Sequence, residues 1–286
     1  MPPIDTNDYD ALIWALLPAV REAGRLEMAH FHRGVEIEKK ADRSPVTIAD
    51  REAEAVLLSA LAEIAPDVPV VAEEQISAGA ACEYAFRFFL VDALDGTRLF
   101  IRGKPEFSIN IGLVEDGRAR FGLIFLPPSE RLFVTRSDGR AYEARLPLSG
   151  TEPLENTAFR RIATRVPDRS ALVAFNSRGT GSASAGLLAA LNVADARPLG
   201  SSMKFCLIAA GEGDLYARFG ETYEWDTAAG QAILEAAGGS VTTLAGEPLT
   251  YSHYQRGFRN PHFVAWGRQP LWRAGEDDDG RSLPGA

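Results

Sequence analysis

The sequence has little cysteine, no excess of positive charge and no long apolar run. Its 286 residues include two cysteines, Cys82 and Cys206, too few for a disulfide framework, which favours a cytoplasmic protein. No stretch reaches the roughly 18 apolar residues that a membrane helix needs. Residues 1–5 also lack the basic and apolar parts of a signal peptide. We therefore expect a protein that works inside the cell, or at most rests on a membrane surface.

The net charge of -9 argues against binding of nucleic-acid polymers, because phosphate backbones require a basic surface. An acidic protein can hold a phosphate ester only through bound cations or a local basic cluster. With 46% hydrophobic residues, the composition is that of an ordinary globular protein.

The hydrophobic pattern predicts an α/β protein that contains antiparallel strand pairs, in the sense of a mixed α+β fold. Helical periodicity covers residues 8–32, where Pro18 should kink or restart the helix, and residues 47–65. From residue 86 the chain is rich in strands, with hairpin turns at Asp116-Gly117 and Asp138-Gly139. We expect an N-terminal half (1–165) with the metal site, a C-terminal half (166–267) with a substrate-phosphate site, and a disordered tail (268–286).

Two carboxylates follow the apolar strand predicted at residues 88–91. Asp92 ends that strand, Asp95 follows across a turn that Gly96 permits, and Thr97 adds a hydroxyl. Two such carboxylates and a nearby carbonyl are oxygen ligands of the kind that Mg²⁺ prefers. The ordinary alternative is an Asp-Gly turn with a capping aspartate.

Three further acidic positions could complete such a site. Glu73 follows a strand predicted at residues 67–72, Asp226 begins a predicted helix, and Asp50 stands three residues after Thr47. Each has an ordinary explanation by itself, namely a solvated acidic loop, a helix N-cap and a capping box. Their occurrence together, in this order along the chain, carries more weight than any one of them.

These motifs resemble those of the Mg²⁺-dependent, lithium-sensitive phosphatase superfamily that includes inositol monophosphatase and fructose-1,6-bisphosphatase. The matching segments are Glu73-Glu74, Asp92-Ala93-Leu94-Asp95-Gly96-Thr97 and Trp225-Asp226-Thr227-Ala228-Ala229-Gly230. Segments 40–50, 200–207 and 215–220 are most similar to those of the bacterial 3′(2′),5′-bisphosphate nucleotidases of sulfur assimilation. The resemblance implies a layered αβαβα sandwich.

The resemblance also implies roles for individual residues. Glu73, Asp92 and the Leu94 carbonyl would bind one Mg²⁺, and Asp92, Asp95 and Asp226 a second, with two or three ions in total. Asp50 and Thr97 would orient and deprotonate the attacking water. Gly96 and Thr97 would also contact the substrate.

Substrate selection is expected from the C-terminal half. Ser201 and Lys204 are about one helical turn apart, so both could face one anion, and Arg218 could clamp a phosphate from the next strand. Both cations could equally be surface charges. The resemblance assigns Ser201, Lys204 and Arg218 to the phosphate that is not cleaved. One departure is the absence of the histidine that the nucleotidase pattern has after Arg178, which leaves recognition of the adenine open.

The main hypothesis is hydrolysis of adenosine 3′,5′-bisphosphate to AMP and phosphate, together with the 5′-phosphosulfate form. The nearest alternative is an inositol-phosphate or sugar-phosphate monophosphatase of the same superfamily, and a remote one is a non-catalytic cation- or nucleotide-binding protein. Relatives lead us to expect peripheral contact with the cytoplasmic face of the inner membrane. The sequence leaves the oligomeric state open.

Overall fold

The computed structural model describes residues 3–34, 37–39, 45–80, 85–152, 154–178 and 182–271. Most of the tail predicted to be disordered lies outside these residues. Cys82 and residues 179–181 also lie outside them. The helices are α1 (Tyr9–Arg33), α2 (Ile48–Ile64), α3 (Glu73–Ser77), α4 (Thr97–Ile101), α5 (Ser182–Ala190), α6 (Met203–Ala209) and α7 (Ala228–Ala236). None of these described helices combines the length and the apolar character that spanning a bilayer requires.

Fourteen strands occur among the described residues, and they form two large sheets and one short hairpin. The strands before the middle of the chain are β1 (Ile37–Lys39), β2 (Pro45–Thr47), β3 (Val70–Ala72), β4 (Arg87–Asp95), β5 (Ser108–Glu115), β6 (Arg118–Leu126), β7 (Arg131–Thr135), β8 (Ala141–Arg145) and β9 (Arg160–Arg161). The later strands are β10 (Val173–Asn176), β11 (Asp195–Pro198), β12 (Leu215–Arg218), β13 (Ser240–Thr243) and β14 (Phe263–Trp266).

The first sheet is a sequential meander from β3 to β9, antiparallel except for the parallel pair β3 and β4. The second has the order β11-β10-β12-β14-β13, in which β10 pairs in parallel with both neighbours. The hairpin of β1 and β2 precedes α2. Parallel and antiparallel pairs therefore occur in both sheets, as the sequence pattern predicts.

Alternation along the strands of the first sheet supplies two hydrophobic cores. Phe89 and Val91 of β4 face a core shared with α1 and α2, whereas Phe88 and Leu90 face a core shared with α6, α7 and the second sheet. On the far side of the second sheet, Leu187 of α5 packs against β10, β12 and β14. The order of layers is helices, sheet, helices, sheet, helix, and this confirms the predicted αβαβα sandwich.

Helix α7 lies directly against the first sheet because two glycines face each other there. Gly112 of β5 pairs with Gly122 of β6. A Cβ atom on Gly112 would lie 2.9 Å from Ala228 Cβ, and one on Gly122 would meet the Ala229 carbonyl oxygen. This close approach brings the start of α7, and Asp226 just before it, next to the ends of β4 and β5.

Several sequence-based expectations about local structure are wrong. Helix α1 is one continuous element, so Pro18 does not start a second part of it. Glu73 and Glu74 open the short helix α3 instead of a loop. Strand β4 does not end at Asp92 but runs to Asp95 with a register shift against β5. The pattern also missed β11, an exposed edge strand, and β14, a short buried strand near the end of the described chain.

Candidate active site

Asp92 and Asp95 reach the same cavity because β4 is irregular between them. Asp92 pairs with Asn110 of β5, and Asp95 pairs with Ser108, with the register shift in between. In a regular strand, residues three apart point to opposite faces, but the irregularity lets both aspartates line one cavity. Gly96 follows with a φ of 102°. A Cβ atom at that position would lie 2.7 Å from the Glu106 carbonyl oxygen, so a larger residue does not fit.

Carboxylates from three separate elements meet beside this bulge. Oxygen atoms of Glu73, Asp92 and Asp226 lie within 4.8 Å of one another. Burial, followed by the charges of Asp95 and Glu73, raises the pKa of Asp226 well above its usual value. Hard oxygen donors this close together fit a divalent cation such as Mg²⁺, which would offset their mutual repulsion.

Asp95 is near this cluster but is held by hydroxyl and amide groups. Its Oδ2 accepts a hydrogen bond from the Ser202 hydroxyl at 2.7 Å and lies 3.5 Å from Asn110 Nδ2. The Ser202 hydroxyl also lies 2.7 Å from the Asp226 carbonyl oxygen. Ser202 therefore connects the two aspartates that come from opposite halves of the chain. The sequence analysis missed Ser202 and Asn110, although the repeated serine in Gly200-Ser201-Ser202 was a signal for the first.

Asp50 makes two sets of contacts, one that caps α2 and one that reaches Thr97. Its Oδ2 accepts hydrogen bonds from the Thr47 amide at 2.8 Å and the Thr47 hydroxyl at 2.6 Å, which completes the predicted capping box of α2. Its Oδ1 accepts a hydrogen bond from the Thr97 hydroxyl at 3.0 Å. The Thr97 hydroxyl also lies 3.1 Å from the Leu94 carbonyl oxygen. The capping contacts hold the carboxylate still while its second oxygen faces Thr97.

Lys204 is a buried cation that lines the same cavity, and not a surface charge. Its side chain is 3% exposed, and Nζ lies 4.8 Å from the centre of the Tyr216 ring. Nζ donates to the Leu199 carbonyl at 3.3 Å and to the Ser201 carbonyl. Burial lowers the pKa of Lys204 to about 8, although the charge of Asp95 opposes this change. Such a group needs an anion to compensate the cost of burying its charge.

Ser201 contributes differently from the sequence-based expectation. It precedes α6 with a φ of 46°, its carbonyl accepts from Lys204, and its hydroxyl accepts from the Met203 amide at 3.3 Å. It thus orients Lys204 through the backbone. Whether its hydroxyl also binds a substrate phosphate stays a prediction.

Arg218 is a second cation in the lining of the cavity. Its Nη2 donates to the Glu221 carbonyl at 2.7 Å, and a Cβ atom on Gly220 would lie 3.2 Å from Arg218 Cζ. Among the described residues, no acceptor bonds to Arg218 Nε. Arg218 Nε is thus buried without an acceptor, while the residue as a whole lines the cavity.

Glu106 ties together segments from both halves at the edge of the cavity. Its carboxylate accepts from Arg178 Nε at 3.0 Å and from the Gly200 amide at 2.7 Å. The hydrogen bond from Arg178 is the main reason why the pKa of Glu106 is lowered. This contact holds the Gly200–Ser201 backbone near Gly96, and no sequence motif had indicated it.

Glu73, Asp92, Asp95, Asp226, Lys204 and Arg218 line one cavity of about 710 Å³. The lining combines carboxylates with the cations Lys204 and Arg218, and it includes Tyr216 and Tyr223. The Tyr223 ring stacks on Trp225 with centroids 4.9 Å apart. The predicted site residues that line the cavity lie in two parts of the chain. One part runs from β3 to α4, and the other follows β11. Asp50 alone lies behind the wall, joined through Thr97.

The comparison with family models decides the classification. Residues 8–267 match the model of the inositol monophosphatase family. The chain belongs to the inositol monophosphatase family. This confirms the predicted superfamily, and the match covers both sheets and the whole cavity.

Relatives of the chain within this family include bisphosphate nucleotidases. The 3′(2′),5′-bisphosphate nucleotidase CysQ of Shigella flexneri is 35% identical over 229 residues, which is 80% of this chain and 88% of the relative. That of Buchnera aphidicola is 33% identical over 262 residues, covering 91% and 95%.

Solved structures of the family have the same fold. The crystal structure of CysQ from Bacteroides thetaiotaomicron has a TM-score of 0.72 at 31% identity, covering 90% of this chain and 97% of the other. A Thermotoga maritima IMPase has a TM-score of 0.70 at 24% identity, covering 90% and 92%. The second likeness is evidence for the fold alone.

Proposed function

We propose that this protein is a Mg²⁺-dependent phosphatase that removes the 3′-phosphate of adenosine 3′,5′-bisphosphate to give AMP and phosphate. The observation that carries this proposal is the lining of one cavity, which combines a carboxylate cluster with a buried lysine and an arginine. A substrate with two phosphates could contact both groups at once. The similarity to the CysQ nucleotidases supports the same substrate class.

Glu73, Asp92, Asp95, Asp226 and the Leu94 carbonyl would hold the cations, two or three Mg²⁺ in number. When bound, they would neutralise charge on the phosphoryl oxygens and make the attacking water more acidic. Ser202 holds Asp95 and reaches the backbone of Asp226. Three members of this ligand set, Glu73, Asp92 and Asp226, lie close together in the structure.

Thr97 and Asp50 handle the proton of the attacking water. The Thr97 hydroxyl can donate its one hydrogen bond either to Asp50 Oδ1 or to the Leu94 carbonyl. When it donates to Asp50, the lone pairs of the Thr97 oxygen can accept a hydrogen bond from a water in the cavity. A proton from that water then passes to Thr97 as the Thr97 proton moves to Asp50. The water oxygen bonds to phosphorus, the bond from phosphorus to the ribose 3′ oxygen breaks, and that oxygen takes up a proton from solvent.

Lys204 and Arg218 are proposed to bind the 5′-phosphate, which is not cleaved. A buried ammonium and an arginine can hold an anion at fixed distance from the carboxylate cluster. The same contacts would accept the sulfated end of the 5′-phosphosulfate form. A monophosphate such as inositol 1-phosphate would leave Lys204 and Arg218 without an anionic partner.

The test is the initial rate of phosphate release from adenosine 3′,5′-bisphosphate, inositol 1-phosphate and fructose 1,6-bisphosphate, each across a Mg²⁺ titration. We expect the highest kcat/KM for the nucleotide, dependence on Mg²⁺, and inhibition by added Li⁺. A preference for inositol 1-phosphate would favour the sugar-phosphate monophosphatase instead. Absence of release from every substrate would favour a non-catalytic cation- or nucleotide-binding protein.

The setting of this activity is also proposed. We infer a cytoplasmic location from the sequence composition. Peripheral contact with the inner membrane, sensitivity to lithium and the division into halves at residue 165 stay predictions.

A further inference from the structure

Helix α3 has no capping residue of its own, although it begins with the proposed metal ligand Glu73. The residue before it is Ala72, which gives no side-chain hydrogen bond to the helix. The first amides of any helix lack partners within the helix and need acceptors from elsewhere. A five-residue helix without such acceptors would not hold its first turn.

The acceptors come from another helix. Glu54 of α2 is 4% exposed. Its Oε2 accepts a hydrogen bond from the Glu74 amide at 2.8 Å, and its Oε1 accepts one from the Gln75 amide at 3.1 Å. A carboxylate at this end of a helix is favoured both by the hydrogen bonds and by the positive end of the helix dipole. Glu54 therefore does for α3 what an N-cap residue usually does from within the chain.

Glu54 also lies one turn after Asp50 on the same side of α2. Asp50 holds Thr97, and Glu54 holds the start of α3. Both carboxylates are buried. One stripe of α2 thus fixes two separate walls of the carboxylate site.

We propose that Glu54 is a positioning residue that sets Glu73 for the cation by capping α3. This inference rests on the proposed function, since it assumes that Glu73 binds metal. If the cap is removed, two amides lose their acceptor and Glu73 spends part of its time outside the cluster with Asp92 and Asp226. Removing a group that orients a metal ligand lowers metal affinity by roughly 10-fold or more.

The experiment measures Mn²⁺ binding to the full chain by calorimetry, with Mn²⁺ as the probe and no substrate. We expect Glu54→Ala to weaken binding about 10-fold and Glu54→Gln, which keeps one acceptor oxygen, to weaken it less. The matched control is Glu63→Ala, which removes an exposed carboxylate from the same helix and should leave the affinity unchanged. Thermal unfolding without metal records any loss of stability separately.

A second arm separates positioning from general damage. In the background of Glu73→Gln, the change Glu54→Ala should cause no further loss of Mn²⁺ affinity, because the ligand that it positions is already gone. A further loss of the full size would overturn the inference. Wild-type Mn²⁺ affinity in Glu54→Ala would also overturn the inference. If the alanine variant does not fold, wild-type affinity in Glu54→Gln would overturn it instead. If the wild-type protein binds no Mn²⁺, the proposed function fails instead.

Discussion

Replacing Lys204 with methionine should make the protein more stable and less selective at once. Lys204 is 3% exposed, and burial lowers its pKa from an ordinary 10.5 to about 8. That difference corresponds to a cost of about 3 kcal/mol for keeping the charge buried at pH 7. Methionine has a similar stem without the charge, so Lys204→Met removes this cost.

The gain is reduced by the hydrogen bonds that the ammonium makes. The carbonyls of Leu199 and Ser201 lose their donor, at about 1 kcal/mol each. The net expectation is a variant that is more stable by about 1 kcal/mol at pH 7. Urea unfolding, followed by tryptophan fluorescence, measures this difference.

The pH dependence gives the stability effect a direction that can be tested. Below pH 8 the lysine is charged in both folded and unfolded chains, so its full cost is present. As the pH rises from about 8 towards 10.5, the folded chain releases the proton first, and the cost of burial is relieved. The advantage of Lys204→Met should therefore shrink over this range.

The same variant should lose activity on one substrate class only. Losing a buried, charge-assisted contact costs a few kcal/mol, so kcat/KM for adenosine 3′,5′-bisphosphate should fall by about 100-fold. Turnover of inositol 1-phosphate should change little. A variant that is less stable at pH 7 and keeps its activity on the bisphosphate would refute the reasoning.

Three further changes test other parts of the structure. Asp50→Asn should lower kcat by roughly 100-fold or more with Mn²⁺ affinity preserved in calorimetry, and unchanged phosphate release would contradict the proton path. Burial and the charge of Asp50 raise the pKa of Glu27 well above its usual 4.5, so Glu27 lowers the free energy of unfolding increasingly as the pH rises above that value. Glu27→Gln should therefore reduce the fall in the free energy of urea unfolding between pH 5 and pH 8. Parallel curves for the variant and the wild type would contradict this. Gly122→Ala should lower the melting temperature, because its methyl group meets the Ala229 backbone and overpacking costs about 1–3 kcal/mol, whereas an unchanged melting curve would show that α7 does not pack so closely.

The sequence predicts those parts of the fold that depend on local pattern. The apolar run of β4, the Asp-Gly turn between β5 and β6, and the capping box of α2 each involve neighbours in the chain. Strand β11 escaped detection because it is a polar, largely exposed edge strand that ends in Pro198. Strand β14 escaped because four apolar residues at the end of a long loop carry no periodic signal.

The site was predictable as a set of residue types but not as a set of contacts. Asp50 had two competing explanations: the capping box is confirmed, and its other oxygen contacts Thr97, whereas its part in activating water stays a prediction. The burial of Lys204 depends on packing against Tyr216, which sequence spacing does not report. Ser202 and Glu106 act by joining segments about 100 residues apart, with sequence separations of 107 and 94.

The central claim is that metal ions at the carboxylate cluster and the side chains of Lys204 and Arg218 act on one substrate with two phosphates. Its most direct test is identification of the products formed from adenosine 3′,5′-bisphosphate by phosphorus NMR, with Mg²⁺ and then with excess chelator. The account predicts AMP and free phosphate in equal amounts, with all turnover lost on chelation. Release of the 5′-phosphate to give the 3′-monophosphate, or undiminished turnover in chelator, would contradict it.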